Sequence, residues 1–314
     1  ERALLEPLTR AAHLCKTDLL TKMVYEFPEL QGLMGGYYAQ AQQEIPAVAT
    51  AIQEHYAPTQ QGTPIPTTRV GQILSLADKL DTLVGIFATG FKPSGSKDPY
   101  GLRRAVIGIL RIILEANLVF DLHNIIQAAI NHHKPDIQAK ANIADIVHYC
   151  LERLRGMMLE NGVRKEVFEA VLAKNISEPN DFVRRVQAVQ NFWTLAEAPQ
   201  LAEAQKRARN ILRNNHVDVL SDGNIEVSLL QENAEKNLWS AMQTSQKRVD
   251  ESMARNDYQN ALQALASLSV PVDAFFTEVM VMVDDMNVRE NRFHLLAALN
   301  QQCLRVAEIG LLPG

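Results

Sequence analysis

Residues 105–118 read AVIGILRIILEANL, and this stretch decides the fold class. Its apolar residues recur at steps of three and four around the basic residues Arg104 and Arg111. That period gathers the apolar side chains on one face of an α-helix, whereas a strand would alternate at every second residue. Just upstream, Asp98 is a candidate N-cap, and Pro99 follows it at the first helical position. The sequence therefore predicts a helix that begins near Pro99.

The same helical period dominates the rest of the chain, and no run of alternating strands interrupts it. A second helix start is predicted at Ser177-Glu178-Pro179-Asn180-Asp181. Loops are predicted at 57–69, which holds three prolines, at 90–99, which reads GFKPSGSKDP, and at 214–228. The expected fold class is all-α.

At 314 residues the chain is long enough for more than one domain. We expect a first domain over 1–135, a helical connector over 136–195 and a C-terminal helical domain over 196–314. The first residues, ERALLEPLTR, lack both an initiator Met and the layout of a signal peptide. We therefore expect the sequence to begin inside a longer protein.

Composition indicates a globular protein, with 47% hydrophobic and 21% charged residues. No apolar run reaches the about 18 residues of a spanning helix, so no membrane partner is expected. The three cysteines lie far apart and lack metal-ligand spacing, which favours reduced thiols and a cytoplasmic location. The net charge of −5 argues against indiscriminate binding to nucleic acid, DNA included. Local basic stripes remain compatible with a specific RNA.

One basic segment spans residues 90–115 and begins with the loop that starts at Gly90. The loop nearly matches a phosphate-binding P-loop, but its last residues are in the wrong order and no strand precedes it. A lysine-bearing loop before a helix N-terminus still favours anions. A solvated helix face and a contact with an RNA backbone are both open readings for its basic residues: Lys92, Lys97, Arg103, Arg104 and Arg111.

A metal site is a second possibility in this half of the chain. His13, His55, Asp78 and Asp81 carry the side chains that divalent ions bind, and Asp78 and Asp81 fall on one helical face. A helix cap, a salt bridge and a buried histidine are the alternative. We expect no bound metal, with His55 and Asp78 as the residues to watch. No nucleophile with a partner at a recognisable spacing is present, so no catalytic residue is predicted.

Four long blocks now resemble one family in order: KTDLLTKMVYEFPELQGLMGGYYA (16–39), AIQEHYAP (51–58), 76–115 and 273–312. They are similar to the β subunit of bacterial glycyl-tRNA synthetase, over essentially the whole chain. The resemblance implies an α₂β₂ enzyme in which the α subunit carries the site for ATP, Mg and glycine. It implies that β recognises and orients glycine tRNA, and that this fragment itself holds no cofactor.

The resemblance also implies an HD-type helical domain over 1–135, a fold that metal-dependent phosphohydrolases use. Active members carry a His-Asp doublet, but the comparable region here reads AAHLCKTDLL (11–20). Only His55 and Asp78 stand where ligands are expected. The domain is therefore interpreted as a phosphohydrolase fold reused for binding.

From about residue 200 the chain resembles the DALR-type anticodon-binding domain. In VMVMVDDMNVRENRFHLLAAL (279–299), Asp284 and Asp285 begin a loop or helix start, and three candidate RNA contacts follow: Arg289, Asn291 and Arg292. An acidic neighbour that fixes the bundle is the alternative partner of Arg292. A second candidate is the one-sided stripe formed by Lys206, Arg209 and Arg213, beside Arg207.

The sequence thus predicts a tRNA-binding part of glycyl-tRNA synthetase that positions tRNA for chemistry on the α subunit. Two hypotheses stay open beside it. One is an active HD-type phosphohydrolase, and the other is a scaffold for the assembly of α and β subunits.

Overall fold

The structure is a computed structural model that describes residues 2–60, 62–91, 98–217 and 224–313. Every regular element within those ranges is a helix, which confirms the predicted all-α class. The helices are α1 (Arg2–Leu14), α2 (Lys22–Glu26), α3 (Leu33–Ala41), α4 (Pro46–Glu54), α5 (Arg69–Ala88), α6 (Leu102–Glu115), α7 (Leu122–His132), α8 (Pro135–Gln138), α9 (Ile143–Glu160), α10 (Lys165–Leu172), α11 (Pro179–Phe192), α12 (Ala198–Asn214), α13 (Asn233–Ala254), α14 (Tyr258–Ala266), α15 (Ser269–Glu278) and α16 (Met286–Cys303). Short 3₁₀ turns span Thr17–Leu20, Pro28–Leu30, Val227–Leu229 and Ile309–Leu311.

The chain forms two compact units. The first runs to Met157 and includes Ser177–Asn180, and the second comprises Met158–Ile176 and the residues from Asp181 onward. The three predicted domains, with boundaries near 135 and 195, remain a prediction. No described helix has both the length and the apolar character needed to cross a membrane.

In the first unit, α5 packs against α4, α6 and α7. The apolar face of α6 is fully buried, as its spacing predicts, and includes Val106, Ile109 and Ile113. Burial of each such side chain contributes about 1.5–3 kcal/mol. The predicted loop at 57–69 ends where Thr68 caps α5, since its hydroxyl accepts from the amide of Gly71 at 3.1 Å.

The start of α6 differs from the prediction. The helix begins at Leu102 rather than at Pro99. Asp98 still caps it, because its carboxylate accepts from the amides of Leu102 at 2.7 Å and Arg103 at 2.9 Å. Gly101 adopts φ 67°, a left-handed conformation that glycine tolerates at the turn between the carboxylate and the helix. The helix start predicted within residues 177–181 is confirmed, because α11 begins at Pro179.

In the second unit, α13 packs against α14 and α15, while α12 packs against α15 and α16. Fully buried Leu238, Met242, Phe275 and Leu296 belong to this core. Asp285 caps α16, since its carboxylate accepts from the amides of Asn287 and Val288 at 2.9 and 3.2 Å. Asp285 therefore marks a helix start, which is one of the two alternatives, loop or helix start, that the sequence left open for this aspartate pair.

Candidate nucleic-acid interface

The first unit carries a small basic cleft where α6 faces the loop after α4. It has a volume of about 260 Å³ and includes the three predicted arginines of α6. Its lining is Pro58, Thr59, Gln60, Arg103, Arg104, Ile107, Gly108 and Arg111. The structure thus brings Arg103, Arg104 and Arg111 to one place. The other two members of the predicted segment, Lys92 and Lys97, lie outside the described residues.

The arginines of this cleft differ in what they already bind. Arg111 pairs with Glu115 at 2.6 Å and donates from Nη1 to the carbonyl of Thr63 at 2.8 Å. It therefore holds the loop in place. Arg104 is exposed, so its guanidinium is accessible to solvent and to a ligand.

His55 and Asp78 have separate structural partners. His55 is fully buried, and its Nδ1 lies 2.7 Å from the carbonyl of Ile52. Burial lowers the pKa of this imidazole. Asp78 forms an ion pair with Lys16. Among the described residues, no group of three or more His, Cys, Asp or Glu could hold a metal ion. The phosphohydrolase hypothesis gains no third ligand from this part of the chain.

Lys79, which the sequence analysis did not single out, is the buried cation of this region. Its Nζ donates to Ser75 Oγ at 2.7 Å and to the carbonyl of Ala57 at 3.0 Å. It also donates to the carbonyls of His55 and Tyr56, both at 3.3 Å. Burial lowers its pKa to about 8. A lysine among the apolar positions of α5 is the signal that could have identified it.

The second unit presents the predicted basic stripe on α12. Lys206, Arg209 and Arg213 are all exposed on one side of the helix. They line a cleft of about 200 Å³ with Gln205, Asn210, Glu308, Gly310 and Leu311. Arg209 forms an ion pair with Glu308. Neither Lys206 nor Arg213 forms an ion pair within the ranges that the structure describes.

A larger cleft of about 770 Å³ continues along the same helix to Leu312 and Pro313. Lys206 and Arg207 both belong to its lining. The guanidinium of Arg207 also lies over the ring of Phe276, with 4.5 Å to the ring centroid. This cation–π contact fixes Arg207 at the edge of the basic surface. The two clefts share Lys206 and Asn210 in their linings, and together they are called the α12 groove.

Two predicted RNA contacts on α16 need correction. Arg292 is buried and donates from Nε to Glu235 Oε1 at 2.7 Å and from Nη1 to the carbonyl of Met280 at 2.8 Å. Asn291 is buried too, and exchanges hydrogen bonds with the backbone of Glu226 at 2.8 and 3.1 Å. Their contacts fix the helices around α16, which is the alternative stated for Arg292. Arg289 is half-buried and stays a prediction.

Comparison with known proteins adds two family matches. Residues 1–173 match the model of the glycyl-tRNA synthetase β subunit, and residues 201–310 match that of the DALR anticodon-binding domain. The second match contains α16 and the basic residues of the α12 groove. Both matches agree with the family resemblance of the sequence blocks.

Individual relatives match over nearly the whole chain. It is 46% identical over 304 residues to a glycine–tRNA ligase β subunit of Pseudomonas aeruginosa, and 44% identical over 304 residues to one of Chromohalobacter salexigens. A β subunit of Coxiella burnetii is 43% identical over 303 residues. These alignments cover 96–97% of this chain and 44% of each relative. The chain thus spans less than half the length of the relatives that it matches.

Proposed function

Because the chain belongs to the glycyl-tRNA synthetase β-subunit family, we propose that it binds glycine tRNA and positions it for a glycine–tRNA ligase. In this proposal the aminoacylation site, with its ATP and Mg, lies on a separate α subunit. The names of the relatives, which are ligase β subunits, support the assignment.

The basic groove on α12 is the observation that carries the proposal. Its basic residues on α12 lie within the residues that match an anticodon-binding domain. It exposes two cations, Lys206 and Arg213, which are free to meet phosphates. The whole chain is acidic, with a net charge of −5, so a local groove rather than a global field would attract the RNA.

The contribution to catalysis is one of placement. The second unit would hold the anticodon arm, and the arginines of α6 in the first unit would hold phosphates elsewhere on the tRNA. Binding at points remote from the reacting atoms orients the tRNA end in the α active site. Such orientation converts a bimolecular encounter into a step within one complex. Cytoplasmic location and an α₂β₂ assembly belong to the same proposal.

The test is a titration of the purified chain with glycine tRNA and with a noncognate tRNA. We expect tighter binding to glycine tRNA, because unpaired anticodon bases offer edges that differ between the two. Equal and weak affinity for both would contradict anticodon recognition by this chain. Co-purification with a glycyl-tRNA synthetase α subunit, measured with and without tRNA, tests the assembly part separately.

A further inference from the structure

A third cleft in the second unit lies between α13 and α16, and it shares no lining residue with the two clefts of α12. Its volume is about 540 Å³, the size range of small-molecule sites. Its lining is Trp239, Gln243, Gln246, Lys247, Ala298, Gln301, Gln302 and Arg305. The α13 members recur at steps of four, three and one, and those from Ala298 onward at three, one and three. Each set therefore falls on one face of its helical stretch. The cleft is where these two faces meet.

Trp239 gives the cleft an aromatic wall. Its indole is half-buried, so part of the ring remains accessible. The opposite side includes Ala298, whose small side chain leaves room for a flat group. Every nucleobase has a π-face that stacks on such a ring, whatever the base.

Amide side chains supply the polar lining. Gln302 is 8% exposed, and its Nε2 donates to the carbonyl of Met242 at 3.1 Å. Its Oε1 is buried and has no hydrogen-bond partner among the described residues. Gln243 is exposed at the same cleft. Amides both donate and accept, as the edges of nucleobases require. An unpaired buried acceptor in the wall favours a ligand that can donate a hydrogen bond.

A cation is held in position in the same lining. Arg305 pairs with Asp250 at 2.7 Å, and Gln246 donates to the two oxygens of Asp250 at 2.9 and 3.0 Å. Lys247 is exposed beside them. Asp250 offsets the charge of Arg305, so Lys247 supplies the net positive charge beside the stacking ring and the amides. This combination suits a nucleotide, whose phosphate accompanies its base.

We propose that the cleft between α13 and α16 receives an unstacked base of single-stranded RNA, which stacks on Trp239 and is read by Gln243 and Gln302. This inference rests on the proposed function, because it assumes that the chain binds tRNA. It adds that the bases are recognised at a surface separate from the groove of α12 that is proposed to bind phosphates. None of these cleft residues was singled out by the sequence.

Affinity for a glycine tRNA transcript, measured with the full chain, is the first test. Trp239→Ala should weaken binding about 5- to 150-fold, the range for loss of one stacked base. Trp239→Phe keeps a ring and should retain most of the affinity. Gln243→Ala, at an exposed position, should weaken binding without affecting folding. The wild-type to Trp239→Ala ratio should stay constant with salt, since stacking releases no counterions.

Fluorescence separates the two proposals. The chain has two tryptophans, so a Trp193→Phe background leaves Trp239 as the single indole. Addition of a short single-stranded RNA with the anticodon-loop sequence should change its emission. Unchanged emission at saturating RNA overturns the cleft assignment. Equal tRNA affinity of wild type, Trp239→Ala and Gln243→Ala also overturns it but leaves the proposed function standing. Absence of tRNA binding by the wild type contradicts the proposed function. The response of the Trp239 emission to the short RNA then tests the cleft assignment by itself.

Discussion

Arg292 and Glu235 form an ion pair in the interior of the second unit, with Nε and Oε1 2.7 Å apart and side chains only 4% and 0% exposed. The other carboxylate oxygen of Glu235 accepts from the amides of Gln231 and Glu232, at 2.9 and 2.7 Å. One buried carboxylate thus joins α16 to the N-terminus of α13, where the helix dipole also favours a negative charge. This contact explains why an arginine in the anticodon-binding match does not face solvent.

Arg292→Ala should lower the free energy of unfolding by about 3–5 kcal/mol, because it leaves Glu235 buried without its cation. Urea unfolding, followed by circular dichroism, measures the change. Arg289→Ala on the same helix is the control, and its effect should be small because Arg289 is only half-buried. Equal stability of the two variants would contradict a structural role for the ion pair.

Replacement of Lys206 and Arg213 by Ala should weaken binding of glycine tRNA and flatten its salt dependence. Each lost phosphate contact lowers the slope of log affinity against log salt by about 0.7–0.9. Affinity measured at several salt concentrations gives both quantities. Arg255→Ala removes an exposed cation from the end of α13, outside the groove, as the matched control. If Arg255→Ala changes the slope of log affinity against log salt as much per removed charge, the result contradicts phosphate binding by the α12 groove.

Arg104→Ala and Arg111→Ala should separate binding from stability in the first unit. Arg104 is exposed, so its loss should weaken tRNA binding and leave the melting temperature unchanged. Arg111 holds Thr63 and Glu115, so its loss should cost about 1–2 kcal/mol of stability. Thermal melts and tRNA titrations of both variants measure the two effects. A melting temperature that falls equally in both would contradict this division.

The buried amine of Lys79 should make stability depend on alkaline pH. Its pKa falls from 10.5 to about 8 on folding, because of burial. Between these two values the unfolded chain still binds a proton that the folded chain has released, so stability rises with pH. The stability difference between wild type and Lys79→Met should therefore shift in favour of wild type from pH 8 to 10.5. Other groups that titrate in the alkaline range, Lys16 included, are shared by both variants. A constant difference over that range would contradict the lowered pKa.

Local features of the fold were predictable because their causes lie within one or two helical turns. The buried face of α6 follows from the three- and four-residue spacing of its apolar residues. The start of α11 follows from its turn residues. The start of α6 was placed too early because Asp98 reaches forward across a turn to cap the helix at Leu102. The preference of proline for the first helical position does not predict a cap that acts from four residues before the first helical residue.

The residues of the candidate sites also differ in whether local sequence could predict their exposure. The basic stripe of Lys206, Arg209 and Arg213 could be predicted from the sequence, because residues three and four apart share a helix face whatever surrounds it. The burial of Asn291 could not be predicted in this way, because its hydrogen-bond partner Glu226 lies 65 residues away in sequence. The cleft at Trp239 was also missed, since it needs the faces of two helices at once.

By itself the sequence determined the all-helical class, the family and the basic face of α12. These depend on composition, on local periodicity and on long blocks of residue choices. The tertiary structure alone decided which polar side chains are available to a ligand. Arg292 is paired with Glu235, 57 residues away, and Lys79 with carbonyls more than 20 residues away. A charged side chain becomes structural or functional according to what packing places beside it, and no local spacing encodes that neighbour.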